Sequence, residues 1–147
     1  MASYYLSGKT FKITSHFGMR THPISGQRKM HKGLDLAAPR GTPIRAVGPG
    51  KVILSQWVSG YGWMIAVKHP DGTISRYAHM NSRSPLRVGA TVSAGQVIGL
   101  VGSTGNSTGP HLHLEIVRGS KYVNPLPYLQ ALAAPTSPRT MHLRAIK

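Results

Sequence analysis

The chain has 147 residues, carries 18 Lys and Arg against 3 Asp and Glu for a formal charge of +15, and contains no cysteine. That length fits one domain able to bury a core without staples, and the cysteine count excludes disulfides and thiolate metal sites. The charge favours a polyanionic partner, nucleic acid or the phosphates and carboxylates of a bacterial envelope, although the basic residues form no block and no RNP run or C-x-x-C finger is present.

In chain order, the start M-A-S-Y-Y-L-S-G-K-T has no charged leader and no apolar run, so it is not read as a signal peptide. No stretch is apolar for long enough to span a membrane as a helix. Residues 1–12 are read as an N-terminal segment and 13–133 as the domain. Seventeen glycines and eleven prolines punctuate short runs rich in Val and Ile, an all-β signature. Pro43 to Trp57 reads as extended, interrupted at Gly48-Pro49-Gly50. Trp63 to Lys68 and Thr73 to Ala78 flank His69-Pro70-Asp71-Gly72, a hairpin signal. Strands are also predicted around Val88 to Val92, from Gln96 to Val101 and from Leu112 to Val117. The best helix candidate is short, Pro127 to Ala134, with proline in its first turn. Residues 134–147, with two prolines and several basic residues, read as a flexible tail. No internal repeat is evident.

Two histidine-bearing runs carry the chemistry. In G-P-H-L-H-L-E, alternation along a strand projects His111 and His113 to one side, with Glu115 at the same parity, and sends Leu112 and Leu114 into a core. In M-H-K-G-L-D-L, His31 and Asp35 stand four apart. Gly33 and Pro39 argue against a helix there, and an extended segment would also keep the two on one face. A lone histidine on a strand is more often an ordinary polar group. Two such pairs, in a chain with three acids, point instead to one metal. Two histidines and a carboxylate are a zinc set that leaves a position open for chemistry. His79 closes R-Y-A-H-M-N at the far end of a hairpin strand. The glycines from Gly99 to Gly109 are not followed by Lys-Ser/Thr, so no phosphate loop is read. No G-x-S-x-G elbow occurs, and paired-carboxylate glycoside hydrolysis has only Asp35, Asp71 and Glu115 to draw on.

The runs I-T-S-H-F-G-M-R-T-H-P, H-K-G-L-D-L-A-A-P-R-G-T-P-I, R-Y-A-H-M and G-Q-V-I-G-L-V-G-S-T-G-N-S-T-G-P-H-L-H-L-E-I stand in this order. Together they resemble the lysostaphin-type (LytM-like) zinc endopeptidases of peptidoglycan, from about Ile13 to Leu129. The resemblance implies a compact antiparallel β-sheet domain with a groove walled by loops. It also implies Zn2+ held by His31, Asp35 and His113, with His79 and His111 as catalytic histidines. His111 thereby moves from metal ligand to catalytic partner. Which of the two is general base stays open, as does the bond cut, a glycine bridge or a direct cross-link. His16, His22, His69 and His142 match none of these roles; His22 is a candidate groove-lining residue. The expected partner is peptidoglycan, not nucleic acid, and the expected state a monomer. The expected setting is the bacterial wall, outside the cell or in the periplasm. A bare catalytic domain, phage-borne or otherwise delivered, is expected. The rival readings are a metal-free wall-binding activator, which would lack a ligand position, and a basic nucleic-acid binder.

Overall fold

In the computed structural model, residues 5, 10–21 and 25–131 are described. Their elements are β1 (Lys12–Ser15), β2 (Gly18–Thr21), β3 (Arg28–His31), β4 (Leu34–Ala37), β5 (Pro43–Arg45), β6 (Gly50–Val58), β7 (Gly62–Lys68), β8 (Ile74–Met80), β9 (Thr91–Val92), β10 (Val97–Leu100), β11 (His111–Arg118), β12 (Lys121–Val123) and α1 (Leu126–Ala131). The expected all-β fold is observed. One antiparallel sheet runs β1-β4-β11-β8-β7-β6-β9, with β12 on the far end of β11; β10-β5 and β2-β3 form two small sheets.

The predicted hairpin is β7–β8. Its turn is closed by His69 N–H donating to the Thr73 carbonyl at 2.8 Å. Asp71 Oδ1 accepts from Thr73 N–H at 2.9 Å, and Gly72 supplies the left-handed φ of +90° that the turn needs. The break at Gly48-Pro49-Gly50 separates β5 from β6. The helix begins one residue before its expected start, where Asn124 Oδ1 accepts from Leu126 N–H at 3.1 Å. The expected continuation to Ala134, the tail, His22 and His142 lie outside the described residues.

Alternation decides which face of the large sheet packs. Leu34, Leu36, Ile65, Val67, Tyr77, Leu112, Leu114 and Ile116 are all fully buried in one cluster, which Ile44 and Ile98 of the β5–β10 ribbon cover. Each such side chain contributes roughly 1.5–3 kcal/mol by leaving water. A one-residue slip of β11 would expose Leu112, Leu114 and Ile116 together, so the core locks the strand's register. That register sends His111, His113 and Glu115 to the opposite face.

Candidate metal centre and groove

β11 lies between β4 and β8, and its register sets His113 directly opposite Asp35 on one side and Ala78 on the other. The expected shared side of His111 and His113 is therefore observed. The path from His31 to Asp35 is neither of the two expected forms. His31 ends β3 in a small sheet, the chain bends through Lys32-Gly33, and Asp35 lies in β4 of the large sheet. The bend brings the two side chains together: His31 Nε2 stands 3.3 Å from Asp35 Oδ2. Gly33 makes this approach possible, because a Cβ there would lie 2.4 Å from the Leu114 carbonyl oxygen and 2.8 Å from His113 Cε1.

His31, Asp35 and His113 offer ligand atoms all within 4.8 Å of one another. The donor set fits a divalent cation. His31 Nδ1–H donates to the His16 carbonyl at 2.9 Å, which leaves Nε2 as the inward atom. His113 presents Nδ1 to Asp35 Oδ1 at 2.6 Å while its Nε2 meets Glu115 Oε2 at 2.9 Å. Such outer partners fix the orientation of an imidazole ligand and raise its basicity. Burial opposes charge on His113, but hydrogen bonds from Asp35 and Glu115 outweigh it and push the imidazole up to about 9. Burial likewise raises Asp35, yet His113, His31 and His111 together hold it below the usual carboxylate range. A metal ion at this cluster competes with the proton on His113.

His79 stands where β7 and β8 shift register, between the pairs Trp63–Met80 and Ile65–Tyr77. Its φ of +60° makes it the one non-glycine residue with positive φ among the described residues. A bulge of this kind re-aims a side chain, at some strain. His79 Nδ1–H donates to the Thr104 carbonyl at 2.6 Å. His111 Nδ1–H donates to the Gly109 carbonyl at 3.0 Å, with Ser107 Oγ 3.2 Å away. Both rings thus have Nδ1 committed to a backbone carbonyl, which leaves Nε2 as the atom open to the cleft. The two rings lie 4.7 Å apart, and His79 is 6.0 Å from His113. His111 Nε2 is 3.7 Å from Asp35 Oδ1, and His111 falls outside the three-residue ligand group. Burial, then the neighbouring His111 and His113, hold the His79 pKa below its ordinary value, so the ring is neutral near pH 7.

The cleft over these residues has a volume of about 440 Å³ and is walled by Gly60, Tyr61 and residues 106–108, two segments joined by Asn106 N–H donating to the Gly60 carbonyl at 2.9 Å. The glycine-rich run that sequence reading set aside as a phosphate loop therefore serves here as a wall. Through Thr104 and Gly109, it is also the holder of both histidines. Tyr61 was not foreseen; only its position between two glycines hinted at a tight turn. Its hydroxyl donates to Glu115 Oε2 at 2.9 Å. Burial, then Glu115, push its pKa up to about 12, so it stays a donor. Glu115 Oε1 faces Arg76 Nη1 at 3.5 Å, an ion pair without hydrogen-bond geometry. His69 lies apart from the cleft, bonded to the Pro49 carbonyl and Ser75 Oγ. His16 contributes its carbonyl alone to the site.

An antiparallel sheet with a His-Asp-His triplet able to hold a metal ion, lining one cleft with two further histidines, is the arrangement the fold and site define. The chain belongs to peptidase family M23, whose family model matches residues 29–125. It is 42% identical over 125 residues to the "DD-carboxypeptidase/endopeptidase Mpg" of Neisseria meningitidis, covering 85% of this chain and 28% of that protein. It is 43% identical over 98 residues to the "Murein hydrolase activator EnvC" of Escherichia coli, covering 67% of this chain and 23% of that one. The chain thus spans about a quarter of the length of these relatives. The catalytic domain of lysostaphin from Staphylococcus simulans superposes with a TM-score of 0.71 at 36% identity, covering 81% of this chain and 92% of that chain. A zinc-containing peptidase from Vibrio cholerae gives 0.75 at 35% identity, over 84% of this chain and 39% of that one.

Proposed function

We propose that the chain is a zinc-dependent endopeptidase that hydrolyses stem peptides or peptide cross-links of bacterial peptidoglycan, with residues 13–133 as the catalytic unit. The observation that carries this reading is the inward-facing His31–Asp35–His113 triplet beside two further histidines whose Nδ1 atoms are both tied to backbone carbonyls. His31, Asp35 and His113 would hold the ion, and zinc so held supplies Lewis acidity and a water acidified toward neutrality. The remaining work belongs to the chain's own side chains. With Nδ1–H committed to Thr104 and Gly109, His79 and His111 each aim a basic Nε2 into the cleft. One can take a proton from water and return it to the leaving amine. The other, once protonated, can donate to the oxygen on which negative charge develops. Tyr61 and residues 106–108, which wall the cleft, would shield the bound peptide from bulk water.

The activator reading draws on the likeness to EnvC. Against it stands the filled triplet, since a protein that only activates has no need of three inward donors and two positioned bases. The net charge alone speaks for nucleic acid.

The test is zinc content together with hydrolysis of purified walls. His31→Ala and His113→Ala are expected to lose both. His79→Ala and His111→Ala are expected to keep zinc and lose roughly 10²–10⁴ in rate. Native protein without zinc, or undiminished hydrolysis by His113→Ala, refutes the reading.

A further inference from the structure

The two tryptophans of the chain flank the Gly60-Tyr61 turn of the cleft wall and meet across the β6–β7 ladder. Trp57 and Trp63 are register partners, their rings 5.5 Å apart at 88°. Trp57 leaves 49% of its surface to solvent, unusual for so large an apolar side chain standing beside another. The guanidinium of Arg83 lies 5.4 Å over the Trp63 ring. Arg83 also lines a cavity of about 580 Å³ with Ser55, Ser84, Arg87 and Val88. Ser55 shares the Trp57 face of β6, and its Oγ is buried with no hydrogen-bond partner among the described residues. Val88, on the rim, is 63% exposed.

The arginines here lack anionic partners among the described residues. Its three acids are committed elsewhere: Asp35 and Glu115 at the histidine cluster, Asp71 in the β7–β8 turn. Neither Arg83 nor Arg87 makes an ion pair among the described residues. The patch is also continuous with the cleft. Trp63 N–H donates to Thr104 Oγ1 at 3.2 Å, and the carbonyl of the same Thr104 holds His79. Arg83 follows His79 by four positions.

We infer that the Trp57–Trp63–Arg83 face is a binding site for the glycan strand of the wall, seated so that the attached peptide enters the cleft beside His79. The chemistry matches a chain of N-acetylated sugars. A pyranose presents a flat face of C–H groups that stacks on an indole. Its hydroxyl and acetamido oxygens accept from guanidinium N–H groups and from a serine hydroxyl. A nucleic acid would call instead for a cationic track along a phosphate backbone. Here one guanidinium lies over an indole and a second lines the adjoining cavity. The inference rests on the wall-hydrolase reading and adds which part of the wall is held.

Both tryptophans of the protein lie in the patch, so tryptophan emission, excited at the red edge where the six tyrosines do not absorb, reports on it. The probe is glycan strands freed of peptide by an amidase, titrated into the full chain, with inorganic polyphosphate as a polyanion comparison. The expected result is a saturable fluorescence change with glycan that survives moderate salt. Affinity should fall about tenfold or more in Trp57→Ala, with Trp63 still reporting, and by a smaller factor in Arg83→Gln. Trp57→Phe should restore much of it, because an aromatic face remains. No response to glycan, an equal response to polyphosphate, or undiminished affinity in Trp57→Ala overturns the site. The probe holds no peptide, so the two readings fail separately. Protein that binds strands but leaves walls uncut refutes the hydrolase. Protein that cuts walls and ignores strands refutes this site.

Discussion

Gly33→Ala is a one-methyl perturbation of the hinge that joins the two halves of the ligand set. An added Cβ would lie 2.4 Å from the Leu114 carbonyl oxygen, short by about 0.9 Å of a close C···O contact of roughly 3.3 Å. It would also press on His113 Cε1 at 2.8 Å and Glu115 Cγ at 3.0 Å. The carbonyl cannot turn away, because Leu114 pairs with Leu34 on one side and Tyr77 on the other. The strain must therefore separate the start of β4 from β11 or tilt the His113 ring. The first costs stability in the range of overpacked cores, about 1–3 kcal/mol. The second disturbs both hydrogen bonds of His113, for which a loss of about 10–100-fold in metal affinity is the usual scale. Urea unfolding of the apo-protein measures the first effect, and competition with a zinc chelator of known affinity measures the second. Wild-type zinc affinity combined with a stability change under about 0.5 kcal/mol would show that the close approach at Gly33 does not hold the triplet together.

Three further outcomes are expected. Glu115→Gln keeps an acceptor for His113 Nε2 but removes its charge, so zinc affinity should fall less than in Glu115→Ala, where about 10–100-fold is expected; equal affinities in all three proteins would deny Glu115 an orienting role. Zinc at about 100 times its Kd should stabilise native protein by about 2.7 kcal/mol, seen as a rise in Tm that vanishes in His113→Ala; an unchanged Tm in native protein would mean no folded-state site. His69 is held below its ordinary pKa of 6.5, first by burial, so the unfolded chain binds the extra proton more readily. Stability should accordingly be full above about pH 6.5 and fall as pH drops through the window between the unfolded and folded values. His69→Gln should flatten that part of the pH–stability curve measured by denaturant unfolding, and an identical slope in both proteins would exclude His69 as its source.

The physical reason for the last effect is a chain of hydrogen bonds with one consistent direction. Val47 N–H donates to Tyr77 Oη at 2.9 Å. Tyr77 donates on to Ser75 Oγ at 2.7 Å, and Ser75 to His69 Nε2 at 2.8 Å. His69 Nδ1–H ends the chain on the Pro49 carbonyl. A proton on Nε2 would reverse the Ser75 bond and leave one buried O–H of the Ser75–Tyr77 pair without an acceptor. In sequence, His69 reads only as a turn residue before Pro-Asp-Gly, because its partners come from two other segments, Pro49 before β6 and Ser75 and Tyr77 on β8.

Much of the fold was legible from local signals. Period-two alternation in H-L-H-L-E-I placed two leucines inward and two histidines outward, and the core depends on that alternation. Asp71-Gly72 announced its hairpin because only a left-handed turn residue closes so short a loop. The ordered motifs identified the family, since several specific runs in one order are far more distinctive than any one of them. The sequence could not say how His31 reaches Asp35. Spacing of four suits a helix or a strand, while the chain uses a bend at Gly33 between two sheets, and that depends on a neighbour 81 positions away, Leu114. Nor could it disclose which ring nitrogens face inward. The carbonyls of His16, Thr104 and Gly109 decide that, and every residue type has a carbonyl. Tyr61 and the strained backbone of His79 were likewise settled by packing between distant strands. The sequence thus determined which side chains are present and which face of each strand they occupy, because these are properties of local period and turn chemistry. Tertiary structure alone decided which atoms converge on one cleft, because convergence is set by sheet order and register.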